Sequence, residues 1–488
     1  MSAARRGLAG TLVVVGDALL DLDLDGRAER LAPDAPVPVV DDPTERPRPG
    51  GAALAATLAA ILDRREVVLV TALARDRPGG ILRKLLEQAG VCVVDVGLAG
   101  RTAEKIRVRA DGRSLLRLDR GSGRGRVGPL GDAGHRAIAG AAAVLVADYG
   151  RGLAAEPGVR AALAARHARV PLVWDPHPKG PGPVPGARLA TPNRAEAACF
   201  AAEVAGDGLA AVTARARVLA ERWRAAGVAI TLGPSGALLV EGGGTPLVMP
   251  APAAPGGDPC GAGDRFASAA AGLLADGALP SEAVGGAVAA ATAFVTAGGA
   301  AAVGRGRPGD LLAVPPSVGS PGQTPPGSTA ASRTAIGRAR ALVERVRAVG
   351  GTVVVTGGCF DLLHAGHVAT LRSARALGDC LVVCLNSDDS VRRLKGPERP
   401  LVPEADRIAV LEALGCVDAV VPFDERTPEA VLARLRPDVF AKGGDYTLAD
   451  LPEAAALATW GGQAVVLPYL EGRSTTKLIK EVARRDSR

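Results

Sequence analysis

The chain has 488 residues, several times the common domain size of ~150, so two or three domains are expected. Its 48% hydrophobic and 22% charged residues exclude wholesale disorder, a collagen-like repeat and a small disulfide scaffold. The formal charge of +7 raises nucleic acid as a partner, but lysine supplies only 7 of the 58 basic residues, a GC-rich coding bias accounts for the arginines, and 2% aromatics leave few stacking platforms. No nucleic-acid partner is expected, and phosphate-bearing small molecules suit scattered arginines better.

In chain order, the apolar stretch within residues 1–20 is interrupted by Gly16-Asp17 and no cleavage site follows it, so no targeting signal is expected. Residues 11–17, 66–73, 142–150, 170–176 and 228–240 read as buried strands, with helices such as 80–90 between them. That alternation argues for an α/β fold built on a parallel sheet with helices on both faces. Two stretches, 22–25 and 106–119, alternate apolar with polar residues, and the second carries Asp111-Gly112, a hairpin turn pair. They are expected to form a small antiparallel lid. Residues 283–303 carry no charge, but they are rich in Ala, Gly and Thr and lack Leu and Ile. A buried helix with its following loop fits them better than a membrane span, and no membrane partner is expected.

Residues 314–333 are rich in Pro, Ser, Gly and Thr and cannot build a packed element, so they read as a linker between 1–313 and 334–488. The second piece repeats the α/β theme, with strands at 352–356, 380–385 and 464–467 and helices at 367–377 and 404–414. The seven cysteines are spread out, odd in number and without C-x-x-C, which suits a reducing, cytoplasmic location.

In the first piece the sharpest motif is Asp258-Pro-Cys-Gly261-Ala262-Gly263-Asp264 ahead of a small-residue helix. A glycine turn at a helix start bares backbone N–H groups at the positive end of the helix dipole, an anion hole for a transferring phosphoryl group. Asp264 beside it is placed to accept a proton from an attacking hydroxyl. A plain glycine loop capped by an aspartate is the other reading of this motif. Asp17 and Asp21 lie just past the first strand, where open α/β sheets bind substrates. Gly50-Gly51 forms a second turn before a helix, and Thr191-Pro-Asn193-Arg-Ala-Glu196 offers an amide and a carboxylate suited to a metal-bound phosphate.

These motifs, in this order, resemble the ribokinase (PfkB) family of sugar kinases over nearly the whole first 310 residues. The resemblance implies a ribokinase-like sheet with a β lid, Asp264 as catalytic base, and Gly261, Ala262 and Gly263 as the anion hole. It assigns Asp17, Asp21, Gly50 and Gly51 to the sugar, and Asn193 and Glu196 to Mg2+ and ATP phosphates. Two residues depart from the pattern: Leu54 stands where an asparagine usually touches the sugar, and Arg265 where a small residue or Thr is commoner. No lysine follows a glycine, which excludes a Walker A loop. Gly304-x-Gly306-x-x-Gly309 matches a dinucleotide fingerprint but leads into the proline-rich linker instead of a helix.

Two of the five histidines fall in His364-Ala-Gly-His367, after a strand and a glycine turn. At a helix start both imidazoles would stand over a bound phosphate. Zinc is disfavoured because no third ligand lies at zinc spacing. Asn386-Ser-Asp388, Arg392-Arg-Leu-Lys395-Gly, Arg407, Lys442-Gly-Gly-Asp445-Tyr and Arg473-Ser474-Thr475-Thr476 follow, and the last hydroxyls serve as helix caps or phosphate ligands. Together they resemble the cytidylyltransferase-like nucleotidyltransferases, a Rossmann-like α/β fold, over residues 350–485. By that resemblance His364 and His367 steady the α-phosphate, and Lys395 and Arg407 hold phosphates. Thr356 and Phe360 line the nucleotide site, and Ser474 and Thr475 bind phosphate. Gly357 stands where the family often has Asn.

The joined pair resembles the family of bifunctional heptose 7-phosphate kinase / heptose 1-phosphate adenylyltransferases. The resemblance implies ATP with Mg2+ and sugar phosphates as ligands, a homodimer joined through the lid, and a separate phosphatase acting between the two steps. Two further readings stay open: the same reactions on another sugar phosphate, to which Leu54 points, and a kinase half that only binds its sugar.

Overall fold

The computed structural model describes residues 10–110, 113–121, 125–242, 244–252, 257–303, 335–443 and 451–467. The expected linker at 314–333, the Asp111-Gly112 turn, Asp445, and Ser474 and Thr475 lie outside the described residues. Two compact units hold the chain: one drawn from Met1–Val204, Arg215–Pro234 and Ala251–Pro315, the other from Ala205–Ala214, Ser235–Pro250 and Pro316–Arg488.

The first unit is built on a parallel sheet. Its strands run, side by side, Gly227–Thr231, Leu189–Ala190, Leu172–Asp175, Ala143–Ala147, Leu12–Gly16, Val67–Thr71 and Cys92–Asp95. The central strands are apolar on both faces because both are covered, as parallel sheets require. Val13, Val15, Val144, Val146 and Trp174 enter one core with the helices Asp132–Ala139 and Pro157–Ala165. The helices Ala52–Ile61 and Ala262–Ala275 cover the other face, and their alanines and glycines allow close packing. Residues 237–240 form a buried strand as expected, but an antiparallel one that belongs to the second unit: Ala237–Glu241 pairs with Leu247–Met249.

The lid differs in one respect from the sequence reading. It has four strands in the order Pro38–Gly51, Ala18–Leu31, Glu104–Ala110 and Arg113–Arg120, and its central pair is parallel, with Leu22 opposite Ile106. The outer pairs are antiparallel. The prolines of Pro38–Gly51 hid that strand, yet they are tolerated because it runs along the edge. The uncharged 283–303 segment is a helix, Pro280–Thr296, followed by a short turn of helix at Gly299–Ala302. Among the described residues no helix is long and apolar enough to cross a membrane.

The second unit contains a parallel sheet ordered Ala419–Phe423, Cys380–Asn386, Val353–Gly358, Val439–Gly443 and Gln463–Leu467. Val353, Val355, Val382, Phe440 and Val466 fill its core. In both units the candidate site residues gather at the carboxyl ends of the strands, where an open α/β sheet leaves its crevice.

Candidate functional site

In the first unit the helix Ala262–Ala275 begins after Gly261, which takes φ 82°, a left-handed conformation that L side chains resist. A Cβ there would also lie 2.8 Å from Leu54 Cδ2. Ala262 donates its N–H to the Pro259 carbonyl and Arg265 to that of Gly261. The amides of Gly261, Gly263 and Asp264 therefore remain as the orphan donors of this helix start among the described residues. Asp264, 6% exposed, sits in the first turn and accepts a 2.7 Å hydrogen bond from the Tyr149 hydroxyl. Burial pushes its carboxyl up to about 7, against the pull of Tyr149 and Lys105 and with a further push from Asp21.

The other first-unit residues surround this point. Asp17 accepts the backbone N–H groups of Tyr149, Arg151 and Leu153, so its carboxylate fixes the loop after Ala143–Ala147. Asp21 is buried between Arg48 and Arg107, at 3.5 and 3.3 Å. Asp23 joins the group through a two-pronged bond to Arg48. Gly50 packs against Asp21, and Gly51, at φ 61°, lies under the Asp17 carbonyl. Lys105, on the lid strand, holds its ammonium 5.0 Å from the Tyr149 ring centroid and makes no ion pair among the described residues.

Asn193 and Glu196 form a reciprocal cap on the helix Arg194–Phe200, each side chain accepting the other's backbone N–H. Burial raises Glu196 above its ordinary carboxyl range. Asp175 is raised further, by burial and then by the neighbouring carboxyls of Glu196 and Asp264. Carboxyl and amide oxygens are hard donors of the kind Mg2+ prefers, and here Asn193 Oδ1 and one Glu196 oxygen already serve the cap. Among the described residues no three His, Cys, Asp or Glu side chains gather closely enough to hold a metal by themselves.

In the second unit His364 caps the helix Ala365–Arg375, its Nδ1 accepting the Gly366 N–H at 3.2 Å. The His364 and His367 rings stack with centroids 3.9 Å apart, and Phe360 stands 5.3 Å from His367. Burial, then the positive neighbours His364 and Lys395, drop His367 to about 4, so it is a neutral imidazole at ordinary pH. Lys395 ends the helix Asp388–Lys395 in an exposed position. Thr356 is buried, and its hydroxyl donates to the Ala441 carbonyl.

Arg407 is the correction here. The sequence reading places it on phosphates, but its side chain is 1% exposed and spends its donors on protein. It reaches the carbonyls of Val402, Cys359 and Asn386 and the carboxylate of Asp388. Arg407 thus ties together the loops that carry the histidine motif and the Asn386-Ser-Asp388 turn. Arg265 is likewise engaged, in a double 2.7 Å bond to Asp63. It ties the helix Ala262–Ala275 to the turn that follows Ala52–Ile61.

The pfkB family of carbohydrate kinases matches residues 9–304, and the cytidylyltransferase-like family matches 355–481. The bifunctional protein HldE of Streptomyces coelicolor is 57% identical over 97% of this chain and 96% of its own length. The chain belongs to the HldE family of bifunctional proteins. It is similar as well to the HldE proteins of Halorhodospira halophila, at 38% identity over 97% of both chains, and Pelobacter propionicus, at 36% over 97% and 96%. The chain is accordingly a bifunctional enzyme, a carbohydrate kinase joined to a nucleotidyltransferase, and both family resemblances read from its sequence hold.

Sequence reasoning named Asp21 but missed Lys105 and the residues that enclose Asp21, namely Arg48, Arg107 and Asp23, and it gave Tyr149 no role. The contact of Tyr149 with Asp264 spans 115 positions, beyond the reach of any local motif. Lys105 carried one signal: it is one of few lysines, set in an alternating lid strand.

Proposed function

We propose that the chain phosphorylates heptose 7-phosphate at O1 with ATP and adenylylates heptose 1-phosphate to ADP-heptose, releasing pyrophosphate. The observation that carries the first reaction is the buried Asp264 beside the orphan amides of Gly261 and Gly263. In that step the sugar hydroxyl gives its proton to Asp264 as its oxygen bonds to the γ-phosphorus, and the bridging bond to ADP breaks. The amides stabilise charge gathering on the transferred group, and such preorganised donors act strongly in a buried site. Asn193 and Glu196 would hold Mg2+ together with the nucleotide phosphates, and the ion would supply charge neutralisation. Lys105 gives the acceptor site a positive charge of the kind a sugar phosphate needs, while Arg48 and Arg107 are balanced by Asp21 and Asp23.

In the second reaction a phosphate oxygen of the sugar attacks the α-phosphorus of ATP, so positioning and charge do the work. His364 and His367, stacked at the start of Ala365–Arg375, are the groups that meet the α-phosphate, with Lys395 and Phe360 nearby. Ser474 and Thr475 remain proposed phosphate ligands. We assign the kinase to residues 1–313, the transferase to 334–488 and a linker to 314–333. A cytoplasmic location agrees with seven unpaired cysteines. A homodimer through the lid agrees with the exposed Leu31, Val37, Leu115, Leu116 and Leu118 on its strands and turn.

Leu54 favours a second reading, the same reactions on another sugar phosphate. It is 2% exposed and packs with Leu58, Phe294 and Ala300, so it offers the sugar no hydrogen bond. Separate variants test the assignment. Asp264→Asn should abolish phosphoryl transfer and spare adenylyl transfer, and His367→Ala should do the reverse. An Asp264→Asn chain that still phosphorylates heptose 7-phosphate would contradict the kinase reading. Acceptance of another sugar phosphate in place of heptose 7-phosphate by the unmodified chain would select the second reading.

A further inference from the structure

Tyr149 stands in the loop after Ala143–Ala147, and its three neighbours in space define a task for it. Its hydroxyl donates to Asp264 Oδ1 at 2.7 Å. Its ring stacks 6.5 Å from that of His177, and the Lys105 ammonium faces the ring at 5.0 Å. The loop is held in turn by Asp17, through the backbone amides of Tyr149, Arg151 and Leu153. Asp264 Oδ2, by contrast, makes no hydrogen bond among the described residues.

We propose that Tyr149 is a positioning residue of the kinase reaction, holding Asp264 through Oδ1 and leaving Oδ2 as the oxygen that takes the sugar hydroxyl's proton. The inference rests on the kinase reading above and names a residue through which the base is set. Tyr149 keeps its own proton throughout: the sugar O–H proton passes to Oδ2, the sugar oxygen bonds to phosphorus, and ADP leaves with the electron pair of the broken bond. A donated hydroxyl stabilises the carboxylate over the acid, which keeps the base ionised. The other groups facing Asp264 are Lys105 from the lid, Asp21 from Ala18–Leu31 and Asp175 from Leu172–Asp175; Arg265 is tied to Asp63. Burial has already lifted Asp264 to about 7, so loss of the hydroxyl lifts it into the range where the base is protonated at neutral pH.

The test is the pH profile of phosphoryl transfer by the full chain, with Mg-ATP and heptose 7-phosphate. Tyr149→Phe keeps the ring and removes the bond; the acid limb of kcat should move up by about one pH unit, with KM for both substrates little changed. Fluorotyrosine placed at 149, with a more acidic hydroxyl, should move the same limb down. A purely structural residue would not produce opposite shifts. Should Tyr149→Phe fail to fold by circular dichroism, the fluorotyrosine chain decides alone. Profiles that superimpose on the unmodified enzyme overturn the inference. If Asp264→Asn is inactive and the Tyr149 profiles do not move, only this inference falls; if Asp264→Asn is active, the kinase reading falls with it.

Discussion

At the scale of single residues, several arginines are buried and compensated by protein groups, among them Arg48, Arg265 and Arg407. Arg407 shows why residue type alone misleads. An arginine near a nucleotide motif invites a phosphate, yet this one is enclosed by three carbonyls and Asp388. Arg407→Lys should therefore act on stability, because a lysine cannot reproduce the planar fork. Breaking such a buried pair costs about 3 kcal/mol, which corresponds to a fall of roughly 10 °C in the melting transition of the second unit. Calorimetry checks this; an unchanged transition with weakened ATP binding would return Arg407 to the phosphates. Asp264, His364 and His367 stand out in the sequence because each sits in a short motif at a helix start, where the local backbone sets its position. Tyr149 and Lys105 do not, because their roles arise from contacts with residues far along the chain.

At the scale of elements, the helix Ala262–Ala275 and the lid explain much of what surrounds Asp264. The helix Ala262–Ala275 is anchored by Arg265 to Asp63 and packed through small residues against its neighbours. Its left-handed entry at Gly261 touches Leu54, so the family's sugar-contacting position here has become a packing position. Gly261→Ala should cost about 2 kcal/mol from φ strain and the Leu54 contact, and should lower phosphoryl transfer at least tenfold by tilting the anion hole. Pairing it with Leu54→Ala should restore part of the stability but not the rate. Equal recovery of both would mean that crowding alone, rather than the amide geometry, sets the rate. The parallel sheets were legible as apolar runs buried on both faces, and both lie near their expected positions. The lid was only half legible: Pro38–Gly51 lacks the alternation of a strand, and the parallel pairing of its neighbours depends on a connection too long to read locally.

At the scale of the whole molecule, two phosphate-handling sites occupy two compact units of one chain. They reach their chemistry by different means. Burial raises the Asp264 carboxyl of the first unit to about 7, whereas His367 of the second unit drops to about 4 and stacks on His364. The fusion was legible from the order of the motifs, since each half carries a complete set.

The most direct test of the two-reaction account is phosphorus NMR of the full-length chain with Mg-ATP, first with heptose 7-phosphate and then with heptose 1-phosphate. The account predicts a new anomeric phosphate and ADP in the first sample, and pyrophosphate with a sugar diphosphate in the second. An unchanged spectrum in either sample, from a folded chain, would contradict it.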